Sequence, residues 1–419
     1  MTKALRIGFI ASRLSGTDGV SLEAKKWFEV LNRKGYECFC FCSNTDWPQD
    51  RAYICREAGL SHEKVWEINR RLFTQNNRTE KTGRCISGLK RKIKKEIRAF
   101  VQQFDINLFI VENAFSLPMN IPLGLAVAEY IAEQNVRTIA HHHDFWWERD
   151  RYAGSPAVDY LASAFPPCLN AIRHVVINSV AERELAFRTG VKSTQIPNVM
   201  DFADPPEEPD DYSADLREQI GVRDHEKLIL QPTRIVPRKR IEKAIELVRR
   251  LETDSALVIT HHAGDEGHEY VRYLREIAAI MNIRLLMPAE RFNAQRGLTP
   301  DGDKVYSLKD AYQHADLITY CSVIEGFGNA FLETVYYKRP MIMSAYEIFS
   351  LDIEPKGFQV LSFRDFIGRE MIRETDRLLA HRDIVAGWTE QNYELGRRYY
   401  SFESLEQKLD YILKECAEQ

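Results

Sequence analysis

The fold of this chain is decided by the stretch SVIEGFGNAFLE, residues 322–333. Its two carboxylates, Glu325 and Glu333, lie eight residues apart, and a Gly-Phe-Gly turn follows the first. The apolar run before them, residues 315–320, predicts a buried strand, and the helical spacing of apolar side chains predicts a helix over 329–338. A strand, a glycine turn and a helix in this order direct free backbone N–H groups at an anion. The stretch therefore predicts a binding site for a ligand with phosphates and hydroxyls, such as a sugar nucleotide.

Short strands and helices alternate along the whole chain. In the first half the pattern predicts strands at 6–12, 36–42, 107–111, 137–141 and 174–178, with helices at 21–34 and 181–189. In the second half it predicts strands at 227–232, 256–260, 283–287, 316–320 and 340–344, with helices at 241–251 and 269–281. Such an alternation indicates parallel sheets covered by helices on both faces, so we predict an α/β fold.

A proline- and acid-rich segment, DFADPPEEPDD at 201–211, separates the two halves. Three prolines and several acids in a row cannot continue a strand or a helix, so we predict an exposed linker. The chain then has an N-terminal domain, residues 1–200, and a C-terminal α/β domain of similar size. A cleft between two such domains is the expected ligand site.

The composition narrows the class of protein. The chain of 419 residues is 44% hydrophobic, which is ordinary for a soluble protein with full cores. The formal net charge of −4 gives no global preference for nucleic acid. The first residues lead straight into a predicted strand without a signal peptide, and no uncharged run approaches the ~18 residues of a membrane span. We therefore expect a cytoplasmic protein.

Two local features have a simple structural explanation and a functional alternative. The run KRKIKKEIR, residues 90–98, is strongly basic and lies in a region, 63–104, that is helical in pattern over most of its length. We favour a solvated helix packed by its apolar stripe, and docking on anionic lipid is the alternative. Cys38, Cys40 and Cys42 alternate on one strand face, where we expect small buried side chains rather than a metal site.

Two loops carry candidate anion-binding residues. The segment QPTRIVPRKRIE, residues 231–242, places Arg234 just after a predicted strand and Lys239 just before a predicted helix. Fixed cations there can bind a diphosphate; a solvated turn is the alternative, but the glycine turn at 326–328 favours binding. The first-half loop LSGTDGVS, residues 14–21, contains Asp18 and Gly19 and can lay backbone N–H groups against phosphate or sugar. A plain structural turn would also explain it.

The segment HHHDFWWERDRY, residues 141–152, follows a strand of the first half. The carboxyl ends of strands in open α/β sheets face the ligand crevice, and histidines and aromatic rings suit sugar hydroxyls and sugar faces. A metal site is less favoured because adjacent residues in a strand point to opposite faces. The candidate acceptor-binding residues are Asp18, His142, Asp144, Trp147 and Arg149.

With these motifs the chain resembles the family 4 glycosyltransferases, retaining enzymes of GT-B architecture with two facing Rossmann-like domains. Residues 325–333 match the family's E-x(7)-E motif, and Arg234 and Lys239 match its G-R-L-x-x-x-K segment. Residues 196–201 resemble its I-P-N-G-V-D crossover. The resemblance implies a nucleotide-sugar domain at 201–395 and a last helix, within 396–419, that returns to the first domain.

The resemblance also implies roles for the site residues. Arg234 and Lys239 would hold the donor diphosphate, Glu325 would contact the donor sugar, and Glu333 would contact the nucleotide ribose. His143 would lie near the sugar. Backbone groups would contact sugar and phosphate at Gly19, Gly326, Phe327, Gly328, Asn329 and Ala330. In three places the chain departs from the family: Thr233 and Arg240 replace glycines, and Met200 replaces a smaller residue in the crossover.

The reaction implied is transfer of a hexosyl group from a nucleotide diphosphate sugar, with retention and without a metal or other cofactor. The acceptor would be a small polar molecule such as a sugar, a sugar phosphate or a glycerate, as in bacterial enzymes that make compatible-solute glycosides. The alternatives are a lipid-linked acceptor at a membrane surface, a GT-B phosphorylase or epimerase, and a non-catalytic protein that binds sugar nucleotides.

Overall fold

A computed structural model describes residues 5–16, 18–263 and 268–417. Within these ranges the chain divides into two units. The first contains the residues up to 199 and those from 402 onward, and the second contains residues 200–401. Thr17 of the predicted loop at 14–21 and the last two residues of the predicted segment 396–419 lie outside the described residues.

Parallel strands form the sheet of the first unit. Its elements in chain order are β1 (Arg6–Ile10), α1 (Gly19–Arg33), β2 (Glu37–Cys42), β3 (Ala52–Ile54), α2 (Glu63–Asn69), α3 (Glu80–Phe104), β4 (Leu108–Glu112), α4 (Ile121–Gln134), β5 (Arg137–His142), α5 (Val158–Ala164), β6 (Ile172–Val176), α6 (Ser179–Thr189) and β7 (Ser193–Gln195). The seven strands lie in the order β3-β2-β1-β4-β5-β6-β7, and all neighbouring pairs are parallel. The predicted α/β fold with a parallel sheet is confirmed for this unit.

The strands of this sheet are apolar along most of their length because helices cover both faces. Successive residues of β1 point to opposite sides. Phe9 packs in a cluster with Trp27 of α1, whereas Ile10 packs in a cluster with Phe100 of α3. Gly8 has no room for a side chain, because a Cβ atom there would lie 2.8 Å from the Phe100 ring. In β2, the three cysteines at 38, 40 and 42 are fully buried in the Trp27 cluster, as predicted.

The basic helix packs as a structural element and most of its lysines are paired. The predicted helical region 63–104 is interrupted, since α2 ends at Asn69 and α3 begins after Thr79, whose side chain accepts a hydrogen bond from the Thr82 N–H. One face of α3 is buried, and three of its lysines form ion pairs with acids of the same unit. The pairs are Lys90 with Glu129, Lys92 with Glu57, and Lys94 with Glu129 and Glu133. None of the helices in the described ranges is long and apolar enough to cross a bilayer.

The second unit has a six-stranded parallel sheet and a small three-stranded one. Its elements in chain order are α7 (Leu216–Gln219), β8 (Lys227–Gln231), α8 (Ile241–Arg250), β9 (Ser255–Ile259), α9 (His268–Ile280), β10 (Leu285–Leu286), β11 (Phe292–Asn293), β12 (Gly297–Leu298), β13 (Lys304–Ser307), α10 (Leu308–His314), β14 (Leu317–Tyr320), α11 (Asn329–Tyr336), β15 (Met341–Ser344), β16 (Leu361–Phe363), α12 (Arg369–Ala380) and α13 (Arg382–Tyr400). The large sheet has the order β10-β9-β8-β14-β15-β16, and the small sheet has the order β11-β13-β12. This unit is Rossmann-like as predicted.

The last helix, α14 (Phe402–Ala417), is part of the first unit. It packs beside α1, where Lys34 Nζ lies 2.8 Å from Glu406 Oε1. The predicted linker at 201–211 is exposed over most of its length and forms neither a strand nor a helix, as expected, with Phe202 as the exception. Phe202 is only 2% exposed and packs edge-on against Tyr393, whose hydroxyl donates to the Phe202 carbonyl at 2.9 Å. The aromatic ring among the acids and prolines therefore fixes this segment to the second unit.

Candidate active site

An ion pair between Lys239 and Glu325 lies at one edge of the large sheet in the second unit. Lys239 follows β8 and Glu325 follows β14, and these two strands are parallel neighbours. The carboxyl ends of parallel strands meet at the same edge, which is why residues 86 positions apart in sequence come together. The two side chains are only 9% and 11% exposed.

Arg238 links the same two loops. Its Nη1 lies 3.5 Å from Glu325 Oε1 and donates to the Ile324 carbonyl at 3.2 Å. The backbone N–H of Val323 donates to the Arg238 carbonyl at 3.1 Å. Lys239 Nζ also lies 5.3 Å from the centre of the Tyr320 ring, in a cation–π contact. These contacts hold the amine and the carboxylate in fixed positions.

Burial and charge act in opposite directions on this pair. Burial lowers the pKa of Lys239, and the Glu325 carboxylate raises it in part, so that the net direction is downward. Burial alone would raise the pKa of Glu325, but Lys239, with smaller contributions from Ser322 and Arg238, brings it below its usual value. Glu325 is therefore ionised at neutral pH and offers a carboxylate to hydrogen-bond donors.

Arg234 and His261 complete the charged edge. The Arg234 side chain is exposed and forms no hydrogen bond or ion pair with the described residues, whereas its backbone carbonyl accepts from the Val236 N–H at 3.1 Å. His261 follows β9, the neighbour of β8, and burial together with the charges of Arg234 and Lys239 lowers its pKa to about 4. His261 is not among the residues predicted from the sequence, although its position directly after a predicted strand is a signal for it. A neutral imidazole beside two cations adds a hydrogen-bonding group without adding charge.

The glycine turn is built around Gly328. Its φ of +109° is one that side chains rarely adopt, and a Cβ atom there would lie 2.3 Å from the Tyr346 hydroxyl. That hydroxyl donates to the Phe327 carbonyl at 2.7 Å. The Phe327 side chain is 3% exposed and packs edge-on against Tyr400, so it belongs to the core. For a ligand, Phe327 offers its backbone only. Asn329 is the first residue of α11, followed by Ala330.

Glu333 lies on α11 with one carboxylate oxygen already occupied. The hydroxyl of Tyr312 donates to Glu333 Oε2 at 2.8 Å. Tyr312 is fully buried and stacks on Tyr337. Burial, and after it the Glu333 charge, raises the pKa of Tyr312 well above its usual value, which keeps the hydroxyl protonated as a donor. No feature of the sequence singled out Tyr312 for this contact.

Arg240 has a left-handed backbone conformation at a position where the sequence resemblance leads us to expect glycine. Its φ and ψ are 46° and 48°, in the left-handed region. The chain reverses there between the short turn that carries Lys239 and the start of α8. A glycine would adopt this conformation without the steric cost that a Cβ atom brings.

In the first unit the three histidines at the end of β5 point in two directions. His142 has Nδ1 2.6 Å from Ser116 Oγ and Nε2 2.9 Å from His174 Nδ1, and it is 1% exposed. Both of its ring nitrogens are engaged, so the structure leaves none for an acceptor. His141 and His143 point to the other side, where both contact one carboxylate, that of Glu112.

Glu112, His141 and His143 form a buried cluster that sequence analysis did not predict as a unit. Their ligand-type atoms lie within 4.8 Å of one another, which is close enough to hold a metal ion. They are also within hydrogen-bonding distance without an ion. Burial raises the pKa of Glu112, but His141 and His143 outweigh it and bring the pKa to about 2.

The remaining predicted acceptor residues are spread along the loops. Asp18 caps α1, accepting from the Ser21 N–H at 3.2 Å, and Gly19 opens that helix. Asp144 is paired with the exposed Arg149 at the end of β5. Trp147 stacks on Phe145.

A cavity of about 80 Å³ lies at the carboxyl ends of β1 and β4. Its polar lining includes Arg13, Asp18, Glu112 and Asn113. Arg13 Nη2 lies 2.7 Å from Asp18 Oδ2. Of the predicted acceptor residues, only Asp18 lines this cavity.

No protein-family model matches the chain. Mannosylglucosylglycerate synthase of Petrotoga mobilis is 31% identical over 385 residues, covering 85% of this chain and 86% of that protein. The enzyme of the same name from Thermotoga maritima is 32% identical over 434 aligned positions, covering 96% and 98%.

Solved structures agree with the fold at low sequence identity. A glycosyltransferase of Rickettsia africae superposes with a TM-score of 0.71 at 12% identity, covering 99% of both chains. Sucrose-phosphate synthase of Thermosynechococcus elongatus gives 0.67 at 14% identity, covering 98% of both. Anabaena Alr3699/HepE, solved with UDP and glucose, gives 0.66 at 11% identity, covering 98% of this chain and 100% of that one. The chain therefore belongs to the family of the mannosylglucosylglycerate synthases, glycosyltransferases of the GT-B fold.

Proposed function

We propose that the protein transfers a hexosyl group from a nucleotide diphosphate sugar to a hydroxyl of a small polar acceptor, with retention at the anomeric carbon. The observation that carries the proposal is the group formed by Arg234, Lys239 and Glu325 at the edge of the second sheet. Two cations beside a glycine turn suit a diphosphate, and a carboxylate suits sugar hydroxyls. The names of the two relatives lead us to propose a mannosyl donor and a glucosylglycerate acceptor.

In the proposed reaction the bond from the anomeric carbon to the diphosphate oxygen breaks, and a bond to the acceptor oxygen forms on the same face. The acceptor proton passes to an oxygen of the departing phosphate. Arg234 and Lys239 stabilise the negative charge that develops there, and positioning supplies the rest of the rate enhancement. Since Lys239 is paired with Glu325 without a ligand, we propose that donor binding separates them. The amine then serves the phosphate and the carboxylate serves the sugar.

The small cavity in the first unit supports an acidic acceptor of glycerate type. Arg13 lines this cavity, and its ion pair with Asp18 is exposed to solvent. The Arg13 side chain is 53% exposed and that of Asp18 is 38% exposed. An acceptor carboxylate can therefore compete with Asp18 for the guanidinium. A lipid-linked acceptor is less favoured, because three lysines of the basic helix are already paired with acids of the same unit. The proposal includes a cytoplasmic location for the protein and a reaction that needs no metal.

The test is a matrix of GDP-, UDP- and ADP-hexoses against glucosylglycerate, the neutral glucosylglycerol, and no acceptor. We expect nucleotide release that depends on an acceptor and is fastest with the acid. The one-bond carbon–proton coupling constant at the anomeric centre of the product, compared with that of the donor, tests retention. Nucleotide release without acceptor, or loss of activity in EDTA that a divalent ion restores, would contradict the proposal.

A further inference from the structure

The buried cluster of the first unit contains a residue that the proposed reaction has not used. Glu112 ends β4 and pairs in register with His141 of β5, the parallel neighbour. Its Oε2 lies 2.9 Å from His141 Nδ1 and 3.4 Å from His143 Nε2. Glu112 and His141 have fully buried side chains, and that of His143 is 8% exposed. One carboxylate oxygen therefore serves both rings.

These contacts determine where the ring protons lie. An ionised carboxylate only accepts hydrogen bonds, so each nitrogen that faces it must donate. His141 then carries its proton on Nδ1 and His143 carries its proton on Nε2. The Nε2 of His141 is buried and has no partner within the described ranges, which suits a bare lone pair better than an N–H group. A neutral imidazole has one donor and one acceptor, so Nδ1 of His143 is left as an acceptor.

The neighbours of the cluster fix His143 through its backbone as well. Asn113 Oδ1 accepts from the His143 N–H at 3.1 Å, and the Asn113 N–H donates to the His141 carbonyl at 2.9 Å. Trp27 stacks on the His141 ring with centres 4.2 Å apart. Two consecutive residues at the end of β4 thus hold the end of β5. Glu112 contacts the imidazole rings, and Asn113 contacts the backbone.

We propose that Glu112 is a positioning residue for His143. It holds the imidazole in the tautomer with the proton on Nε2, so that Nδ1 offers a hydrogen-bond acceptor to a hydroxyl of the sugar substrate. The role in turnover rests on the proposed function. The tautomer does not, because it is a property of the protein without substrate.

The first test measures the tautomer directly in the wild-type protein, by NMR of imidazole ¹⁵N nuclei at neutral pH. The His143 signals are identified by their absence from a His143→Gln variant. We expect Nε2 to carry the proton and Nδ1 to be bare. A His143 ring protonated on Nδ1, or on both nitrogens, would overturn the proposal. This measurement needs no variant of Glu112 and no substrate.

The second test is a double-mutant cycle on turnover. Glu112→Gln keeps the size of the side chain and removes the charge, and we expect kcat to fall by about tenfold to a hundredfold, the value of a charged hydrogen bond. In a His143→Ala background the same change should cost less than about twofold, because Glu112 acts through His143. An undiminished loss in that background would overturn the proposal.

A matched control is Glu23→Gln in the first unit. Glu23 is buried like Glu112 and bonded to Lys26; its charge acts on His141, but it forms no hydrogen bond to His143 within the described ranges. We expect it to lower stability like Glu112→Gln without the loss that depends on His143. If the two variants have the same kinetic effect, general destabilisation explains both and the proposal fails.

Metal analysis separates this proposal from a metal centre built on the same three side chains. About one transition-metal ion per wild-type chain, lost in Glu112→Gln, would overturn it, because a metal ligand nitrogen cannot carry the proton. If the wild-type protein transfers no hexose in the donor and acceptor matrix, the proposed function fails, and the NMR measurement still decides the tautomer.

Discussion

Lys239 and Glu325 form an ion pair that is about nine-tenths buried on both sides and joins the loops after two neighbouring strands. Buried ion pairs add little net stability, because desolvation offsets most of the attraction between the charges. Removing one partner is costly, since the other is left buried and unpaired. The pair is therefore better explained by what its two charges do for a ligand than by a need of the fold.

Lys239→Ala is expected to lower kcat by about a hundredfold to a thousandfold, because the charge that stabilises the leaving diphosphate is lost. Steady-state kinetics at saturating donor measures this, with circular dichroism to confirm the fold. The matched control is Lys243→Ala on α8, where the lysine pairs with Glu246 at 2.8 Å. Near-normal turnover in Lys239→Ala, or an equal loss in Lys243→Ala, would refute the role given to Lys239.

Tyr312→Phe is expected to raise the donor KM by about tenfold with little change in kcat. The variant removes the hydroxyl that fixes Glu333, and a lost hydrogen bond of this kind is worth about 1–1.5 kcal/mol. Tyr306→Phe is the control, since Tyr306 is equally buried and its hydroxyl donates to Asp215 at 2.8 Å. A donor KM that stays constant in Tyr312→Phe, or rises in both variants, would argue against a contact between Glu333 and the donor.

Gly328→Ala is expected to destabilise the second unit by more than about 2 kcal/mol and to weaken donor binding. The new methyl group meets both an unfavourable φ and the Tyr346 hydroxyl at 2.3 Å. Gly357→Ala separates the two effects, because its φ is +89° but a Cβ atom meets no described atom within 4 Å. Thermal denaturation and donor titration measure both variants. Equal losses of stability in the two variants would show that Tyr346 moves aside in Gly328→Ala and relieves the contact.

The sequence predicted the fold well where strands are apolar runs bounded by glycine or polar residues. The predicted strands at 227–232, 256–260 and 316–320 all appear, within one residue at each end, as β8, β9 and β14. It failed for short strands at the sheet edges, such as β3 and β16, which are only three residues long. It placed a strand at 174–178 that begins at Ile172, because His174 and Arg173 obscure the start of β6.

The candidate site was likewise predicted only in part from the sequence. Local motifs predicted that Lys239 and Glu325 follow strands, and the parallel sheet brings them together. The partners that hold them could not be found, because each comes from a distant element and carries no motif. Tyr312 lies 21 residues before Glu333, and Glu112 lies 31 residues before His143. Periodicity identifies such residues as core, and only the packed structure shows which polar atom each one meets.

Acidification from pH 6.5 towards pH 4 is expected to lower the free energy of unfolding. Burial lowers the pKa of His174 to about 4, so between these values the unfolded chain binds a proton that the folded chain refuses. His174 alone contributes about 3 kcal/mol of lost stability by pH 4. Glu112, with its pKa of about 2, acts in the same direction only below about pH 4.5.

Urea titrations at several pH values measure how steeply the free energy of unfolding changes with pH. His174→Gln should make this slope shallower between pH 6.5 and pH 4.5, whereas His381→Gln, at an exposed position, should leave it unchanged. If His174→Gln has the wild-type slope, the histidine is not held neutral in the folded protein.

Arg240→Gly is expected to raise the free energy of unfolding by about 0.5–1 kcal/mol, because it removes the cost of a left-handed backbone at a residue with a Cβ atom. Turnover should change less than about twofold, since Arg240 Nε lies 4.0 Å from Glu242 Oε1, towards α8. Arg240→Ala is the matched control: it loses the guanidinium and keeps the strain, so it should not gain stability. A large loss of turnover in both variants would mean that the Arg240 charge acts on the donor phosphates. A gain of stability in Arg240→Ala would mean that the guanidinium, rather than the left-handed backbone, destabilises the wild-type protein.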